Sequence, residues 1–338
     1  MSDHSATTTY ETQMPQSGVT RPGRIALLDA LRGSALVAMA IYHFVWDLEL
    51  FGYVAAGTAG TGGWRLFARL IAGSFLFLAG YSLVLGQLPK FRPRAFARRF
   101  GKIAGAAALI SIATWLAFPD SFIFFGILHA IAAASLVGLL FLRLPAAVSF
   151  LAAATAFAAP LYLRSPIFDT PALWWVGLSE TVPRSNDYVP LLPWLAPFLA
   201  GLGMAKLLHP FFVARLGSGQ TLGGARNLWL RPLAFGGRHS LMIYLVHQPL
   251  LIGLVYLFSL VFPAPVPDPA QAYRMNCERA CSSANSGISC GRFCGCTLDR
   301  LTEQNLFDDL NTGKIDVNTD ERIARIASQC TMDAQSGD

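Results

Sequence analysis

Asp29, Arg32, His43 and Asp47 are the ionisable residues most out of place in this chain, because the stretch around them, LLDALRGSALVAMAIYHFVWDL, is otherwise apolar. A helix advances about 100° per residue, so Arg32 falls near −60°, His43 near −40° and Asp47 near 0° from Asp29. One narrow face therefore carries all four, over about 27 Å of axis at 1.5 Å per residue. An ionisable group in a membrane span is costly and faces a bundle interior or a wet cavity. A histidine with a carboxylate one turn away is oriented and made more basic, which suits it to act as a general base. The plainer description of His43 and Asp47 is a core histidine capped by an acid. The plainer description of Asp29 and Arg32 is a helix-start ion pair at the membrane surface.

Two further apolar stretches each bring a histidine: IFFGILH, ending at His129, and RHSLMIYLVHQP, in which Ser240, Tyr244 and His247 share a helical face. Three spans that each carry a histidine suggest a common polar centre. Arg98 and Arg99 belong to the basic stretch KFRPRAFARRFGK, which sets orientation and also offers guanidinium forks to phosphate. Trp174, Trp175 and Tyr188 lie in a polar connection, where they would stack on a sugar ring or join the interfacial aromatic belt. The same histidines and stripe also suit a bis-histidine haem protein or a transporter or channel. A purely structural scaffold is the remaining alternative.

These side chains need elements to hold them. The chain is 54% hydrophobic and only 14% charged, with a mean hydropathy of +0.46, which describes a membrane protein rather than a soluble one. No basic run with interleaved aromatics occurs in a soluble region, so nucleic-acid binding is not expected. Apolar runs predict an all-α polytopic bundle of about seven spans, near residues 25–46, 64–86, 102–118, 122–142, 145–163, 190–208 and 234–262. Residues 1–23 read as a disordered cytoplasmic lead, 24–262 as the membrane domain and 263–338 as a small Cys-rich helical tail. Arg21, Arg24, the five cations of 87–101, Arg143, and Arg215, Arg226 and Arg231 all fall on the N-terminal side of the bundle. The positive-inside rule then places the N-terminus in the cytoplasm and the tail outside, in the periplasm for a bacterial inner membrane.

All six cysteines follow the last span: Cys277, Cys281, Cys290, Cys294, Cys296 and Cys330. Paired cysteines belong to oxidising compartments, which agrees with a tail outside. Cysteines four apart share a helical face, so Cys277–Cys294 and Cys281–Cys290 would staple a helical hairpin and Cys296–Cys330 would tie on the last helix. Fifteen pairings are open to six cysteines, and a zinc site is the rival use.

RIALLDALRGSALVAMAIYHFVWDL resembles the opening of the heparan-α-glucosaminide N-acetyltransferase catalytic-domain family, and of membrane acyltransferases that acetylate bacterial surface glycans. Asp29, Arg32, Gly33 and His43 carry the likeness. GSFLFLAGYSL, FGILH, NDYVPLLPW and SLMIYLVHQP support it, and it extends over about residues 24–262. The resemblance implies acetyl-CoA as donor from the cytosol and a sugar amine or hydroxyl, on a glycan or glycolipid, as acceptor on the outer side. Asp29, Arg32, Arg98 and Arg99 would meet the cofactor. His43, with Asp47, His129 and His247, would serve the chemistry, and Trp174, Trp175, Tyr188, Ser240 and Tyr244 would meet the acceptor. Polar groups of the first span would floor a wet tunnel through the bilayer. Seven spans read as a reduced core among membrane lipids, one that a homodimer would close.

Overall fold

A computed structural model of the chain describes residues 26–217, 230–265, 268–283, 287–317 and 319–335, without the side chains of residues 209–217 and of Ser283. The lead of residues 1–23, Arg24, Arg226 and the Arg215 side chain lie outside the described residues. All regular structure among the described residues is helical. The chain forms two compact units, Met1–Val261 and Phe262–Asp338.

The first unit holds α1 (Ala26–Leu50), α2 (Gly62–Gln87), α3 (Pro93–Ala117), α4 (Ile127–Phe141), α5 (Ala146–Tyr162), α6 (Leu191–Gly217), α7 (Leu230–Arg238) and α8 (Ser240–Val261). Five of these, α1, α2, α3, α6 from Leu191 to Leu208, and α8, are long and apolar enough to cross a membrane. α4 and α5 are apolar but shorter. The protein is an integral membrane helix bundle.

Helix boundaries differ from the sequence reading in several places: α1 runs on to Leu50 and α6 to Gly217, and three further differences bear on the site. The third helix starts nine residues earlier, at Pro93 rather than 102, so Arg94, Arg98 and Arg99 ride on its first turns. Proline at the first helical position is pre-set for the helix, and an apolar-run reading stops where the arginines begin. The fourth helix starts at Ile127 rather than 122, because Gly126 takes an extended conformation as its N-cap. The seventh predicted span is broken at His239 into α7 and α8.

Lipid tails are as apolar as leucine, so helices in a bilayer gain by close backbone approach rather than by escaping water. Reciprocal glycines supply that approach. A Cβ on Gly80 of α2 would stand 2.0 Å from the Phe198 carbonyl oxygen of α6, and one on Gly201 of α6 would stand 2.0 Å from that of Phe77. α1 meets α7 the same way: a Cβ on Gly33 would stand 2.0 Å from the Leu233 carbonyl oxygen, and one on Gly237 would stand 1.8 Å from that of Asp29. The core beside the first pair is filled by Leu76, Leu83, Val84, Phe198, Leu199 and Leu202.

Polar staples fix the turns. Lys206 of α6 donates to the carbonyls of Phe141 and Leu144, the latter at 2.6 Å, and to Ser149 Oγ at 3.2 Å, closing the turn between α4 and α5. Glu49 accepts the backbone N–H groups of Gly57 and, at 2.8 Å, Ala59, folding the connection after α1 onto its end. In the connection after α5, Asp169 accepts from the Ser179 hydroxyl at 2.5 Å and from the N–H groups of Glu180 and Thr181. These bonds, the Ser179 one foremost, hold its carboxyl below the usual carboxylate range.

The second unit comprises α9 (Pro269–Ser283), α10 (Cys290–Glu303), α11 (Phe307–Asn311) and α12 (Glu321–Gln335). Disulfides join Cys277 to Cys294, Cys281 to Cys290 and Cys296 to Cys330. The first two staple α9 to α10 and the third ties α12 to α10, the arrangement drawn from the four-residue spacing. Leu301, Leu306, Ile323, Ile326 and Cys330 form its small core.

Candidate functional site

The inward face of α1 carries a polar site at each end, and the helices packed on it complete both. At the first, Arg32 donates to Asp29 Oδ1 at 3.0 Å and to the Ser82 hydroxyl of α2, which itself donates to the Leu78 carbonyl at 2.5 Å. Arg238 approaches the other Asp29 oxygen at 3.7 Å, beyond hydrogen-bond reach but within ion-pair range. Arg99 of α3 is partly buried, within range of the Arg32 charge, and lines a small void with Ser135 and Phe96. Arg32 pairs with the Asp29 carboxylate, Arg238 stands in ion-pair range of it and Arg99 feels the Arg32 charge, so positive charge exceeds negative here, a balance that suits a polyanion. Arg98 is exposed on α3 and takes no part in this cluster. Arg238 and Ser82 were not singled out in the sequence, since neither lies near Arg32 along the chain.

At the other end, His43 of α1 and His247 of α8 meet edge to face, with ring centroids 5.0 Å apart. His247 Nδ1 lies 2.6 Å from the Tyr244 carbonyl oxygen. A carbonyl can only accept, so Nδ1 carries the proton and Nε2 presents its lone pair. That Nε2 is buried and makes no hydrogen bond, and the same is true of His43 Nδ1. Asp47, fully buried one turn beyond His43, does not orient the imidazole as its spacing suggested. Its Oδ1 accepts instead from the Gln248 amide of α8 at 2.7 Å. Asp47 Oδ2 and Gln248 Oε1 are likewise buried without a hydrogen bond. Buried polar groups are nearly always bonded, so four orphaned atoms on four adjacent side chains mark a place built for something other than packing.

Between the two ends the same face of α1 is apolar. Leu36 and Met39 are buried against Ile71 of α2, with Ile243 and Tyr244 of α8 packed around them. The expectation of polar groups flooring a continuous tunnel is therefore corrected: the stripe is two polar sites parted by a collar of methyl and methylene groups.

His129, the third histidine, stands on the first turn of α4. Its Nδ1 accepts from the Gly126 N–H at 3.2 Å, and its Nε2 lies 3.2 Å from Ser111 Oγ, which donates to the Ile123 carbonyl. Both ring nitrogens serve the local cap, and no hydrogen bond or ring contact among the described residues joins His129 to the pair. Trp174 and Tyr188 are also engaged locally: the indole N–H donates to the Asp169 carbonyl at 2.9 Å and the phenol to the Trp174 carbonyl at 2.7 Å. Trp175 is exposed beside Phe125. Ser240 opens α8, and the Tyr244 ring lies 5.6 Å from that of His247.

Asp187, in the connection between α5 and α6, was not picked out by residue type, although NDYVPLLPW contains it. Its Oδ2 accepts the Ile127 N–H at 2.9 Å, and a Cβ on Gly126 would stand 2.3 Å from that oxygen. Burial pushes its carboxyl up to about 6, against the opposing pull of the Ile127 bond. Its charge reaches Tyr42 of α1 and Tyr244 of α8, whose rings lie beside those of His43 and His247.

Residues 24–249, about two thirds of the chain, match the model of one protein family. No curated protein and no solved structure matched the chain. The matched span includes the guanidinium cluster, the collar and the histidine pair, and its family is heparan-alpha-glucosaminide N-acetyltransferase, catalytic, to which this chain belongs.

Proposed function

We propose that this protein transfers the acetyl group of acetyl-CoA to an amine or hydroxyl of a sugar across the bundle, with the buried imidazole pair as its chemical centre. The observation that carries this reading is the His43–His247 pair, whose rings meet edge to face and each keep one buried, unbonded nitrogen. An oriented imidazole with a free lone pair takes the proton of the attacking sugar N–H or O–H. The sugar nitrogen or oxygen then bonds to the thioester carbonyl carbon, the C–S bond breaks, and the coenzyme A thiolate takes the proton back from the imidazolium. In the two-step form His43 itself attacks, holds the acetyl group as an acyl-imidazole and passes it to the sugar.

The two sites of α1 divide the donor between them. Arg32, Arg99 and Arg238 suit the phosphates of coenzyme A, and forked guanidinium contacts favour such groups. Eleven residues of helix, about 16 Å at 1.5 Å per residue, separate Arg32 from His43. Of the donor's parts only the uncharged pantetheine arm is compatible with the collar. The cations near α3 support a cytoplasmic donor side, and the disulfides of the second unit support an outer, periplasmic location for it. Haem ligation by the pair is disfavoured by its geometry, because rings in edge contact leave no room for a macrocycle between them.

Purified protein given labelled acetyl-CoA and a panel of amino sugars and glycolipids should form an acetylated product, with His43→Ala and His247→Ala inactive yet folded. Mass spectrometry of envelope glycans should reveal an acetyl increment in cells that carry the wild-type protein and none in cells that carry His43→Ala. Full transfer by both alanine variants would end this reading.

A further inference from the structure

The lipid-facing side of the bundle carries a second charged feature. Arg65 and Arg69 lie four residues apart on one face of α2, in its first turns, and both are exposed. Neither makes an ion pair or a side-chain hydrogen bond among the described residues. Cations at a helix N-terminus oppose the macrodipole, and an arginine within a span is costly. Two unpaired ones in succession call for an anion.

Their depth says where that anion sits. Arg69 is seven residues into α2, about 10 Å from its Gly62 end, and a 26-residue helix overshoots a hydrocarbon core of about 30 Å. Arg69 therefore stands just inside the hydrocarbon boundary, with its side chain leaning back along the helix towards the headgroups. From Arg69 a groove of about 440 Å³ runs between α1, α2 and α6. Its walls are Leu31, Leu70, Phe77, Leu78 and Pro197. Gly73 leaves it open, since a Cβ there would meet nothing within 4 Å. No carboxylate lines it.

We propose that this groove seats one hydrocarbon chain of an anionic phospholipid, with the phosphate on Arg69 and Arg65 above it. A phosphate accepts forked guanidinium hydrogen bonds, and an apolar wall continuing from the cation matches a chain continuing from a headgroup. A zwitterionic lipid offers the same chain, but its own ammonium offsets the phosphate. The site is independent of the acetyl-transfer reading, because it uses none of the groups assigned to that chemistry.

The test is native mass spectrometry of the delipidated full chain, titrated with phosphatidylglycerol and with phosphatidylcholine of the same acyl chains. Wild type should form a first phosphatidylglycerol adduct at about tenfold lower lipid concentration than phosphatidylcholine. Arg65→Gln/Arg69→Gln should remove that preference, and Arg69→Lys should keep most of it. Gly73→Phe, which fills the groove without a backbone clash, should weaken both lipids. Thermal melts confirm that each variant is folded, and Arg69→Lys with Arg69→Gln alone serves if the double variant is not. Equal binding of the two lipids by wild type, a preference that survives Arg65→Gln/Arg69→Gln, or adducts unchanged by Gly73→Phe would each overturn the proposal and leave annular lipid only.

Discussion

The two ends of α1 both hold ionisable groups, yet they are wired in opposite ways. At the Arg32 end the carboxylate, the guanidinium and the Ser82 hydroxyl are tied together, with Arg238 close by. At the His43 end, four buried polar atoms on His43, Asp47, His247 and Gln248 find no partner. Each orphaned buried atom costs about 1–3 kcal/mol of desolvation. The first network, in which Asp29 Oδ2 lacks a hydrogen bond but has the Arg238 guanidinium 3.7 Å away, holds a shape and presents surplus charge; the second stores a readiness to bond. The first arrangement suits binding and the second suits chemistry.

Substitutions can break or sharpen that contrast. The largest effect is expected at the unsaturated end: His43→Leu and His247→Ala should each lower kcat by about 10²–10⁴-fold in an acetyl-transfer assay. His43→Leu should at the same time raise the melting temperature, because it removes an orphaned group. A loss of stability on that change would mean that the imidazole is a satisfied core group.

Asp187 gives the next largest effect, read as stability against pH. Its folded carboxyl titrates near 6 and the unfolded one near 3.8, so the folded state binds more protons between those values and stability falls as pH rises through them. Asp187→Asn keeps an acceptor for the Ile127 N–H and escapes the penalty. It should therefore gain on wild type from pH 4 to 7, by up to about 3 kcal/mol at 1.36 kcal/mol per pKa unit. Parallel melting curves across that range would refute the buried-carboxyl description.

At the Arg32 end the readout changes. Arg32→Gln should raise KM for acetyl-CoA by about 10–30-fold while kcat moves little, as for the loss of one charged contact. Arg99→Gln should behave alike. The smallest effect belongs to Arg98→Gln, whose exposed side chain should leave KM within about threefold. Equal effects at Arg98 and Arg99 would dissolve the cluster into a diffuse surface charge.

Much of this geometry was legible in the residues, and the rest was not for physical reasons. The α1 stripe follows from helical periodicity, because 100° per residue fixes which side chains share a face. Two of the cysteine pairs, Cys277–Cys294 and Cys281–Cys290, agree with the same rule, since cysteines four apart share a face on each of two antiparallel helices; Cys296–Cys330 has no such spacing behind it. Spacing does not reveal competition between partners. Asp47 stands one turn from His43, but the Gln248 amide from another helix takes its carboxylate. Asp187 lies in a polar connection, and only its return onto the N-terminus of α4 makes it part of the site. Hydropathy alone also joins α7 to α8. The break at His239 follows where Gly237 brings α7 against the Asp29 carbonyl, a contact between helices distant in sequence. His129 fits a polar centre by type, yet a local cap claims both its nitrogens.

The collar of Leu36, Met39 and Ile71 has an energetic consequence for the host cell. A membrane that stores an electrochemical gradient is discharged by any unbroken file of water, and a ring of aliphatic side chains interrupts such a file by dewetting. On the proposed transfer, a thin, neutral acetyl-bearing arm would be handed past it while hydronium would not, so the reaction would not leak current.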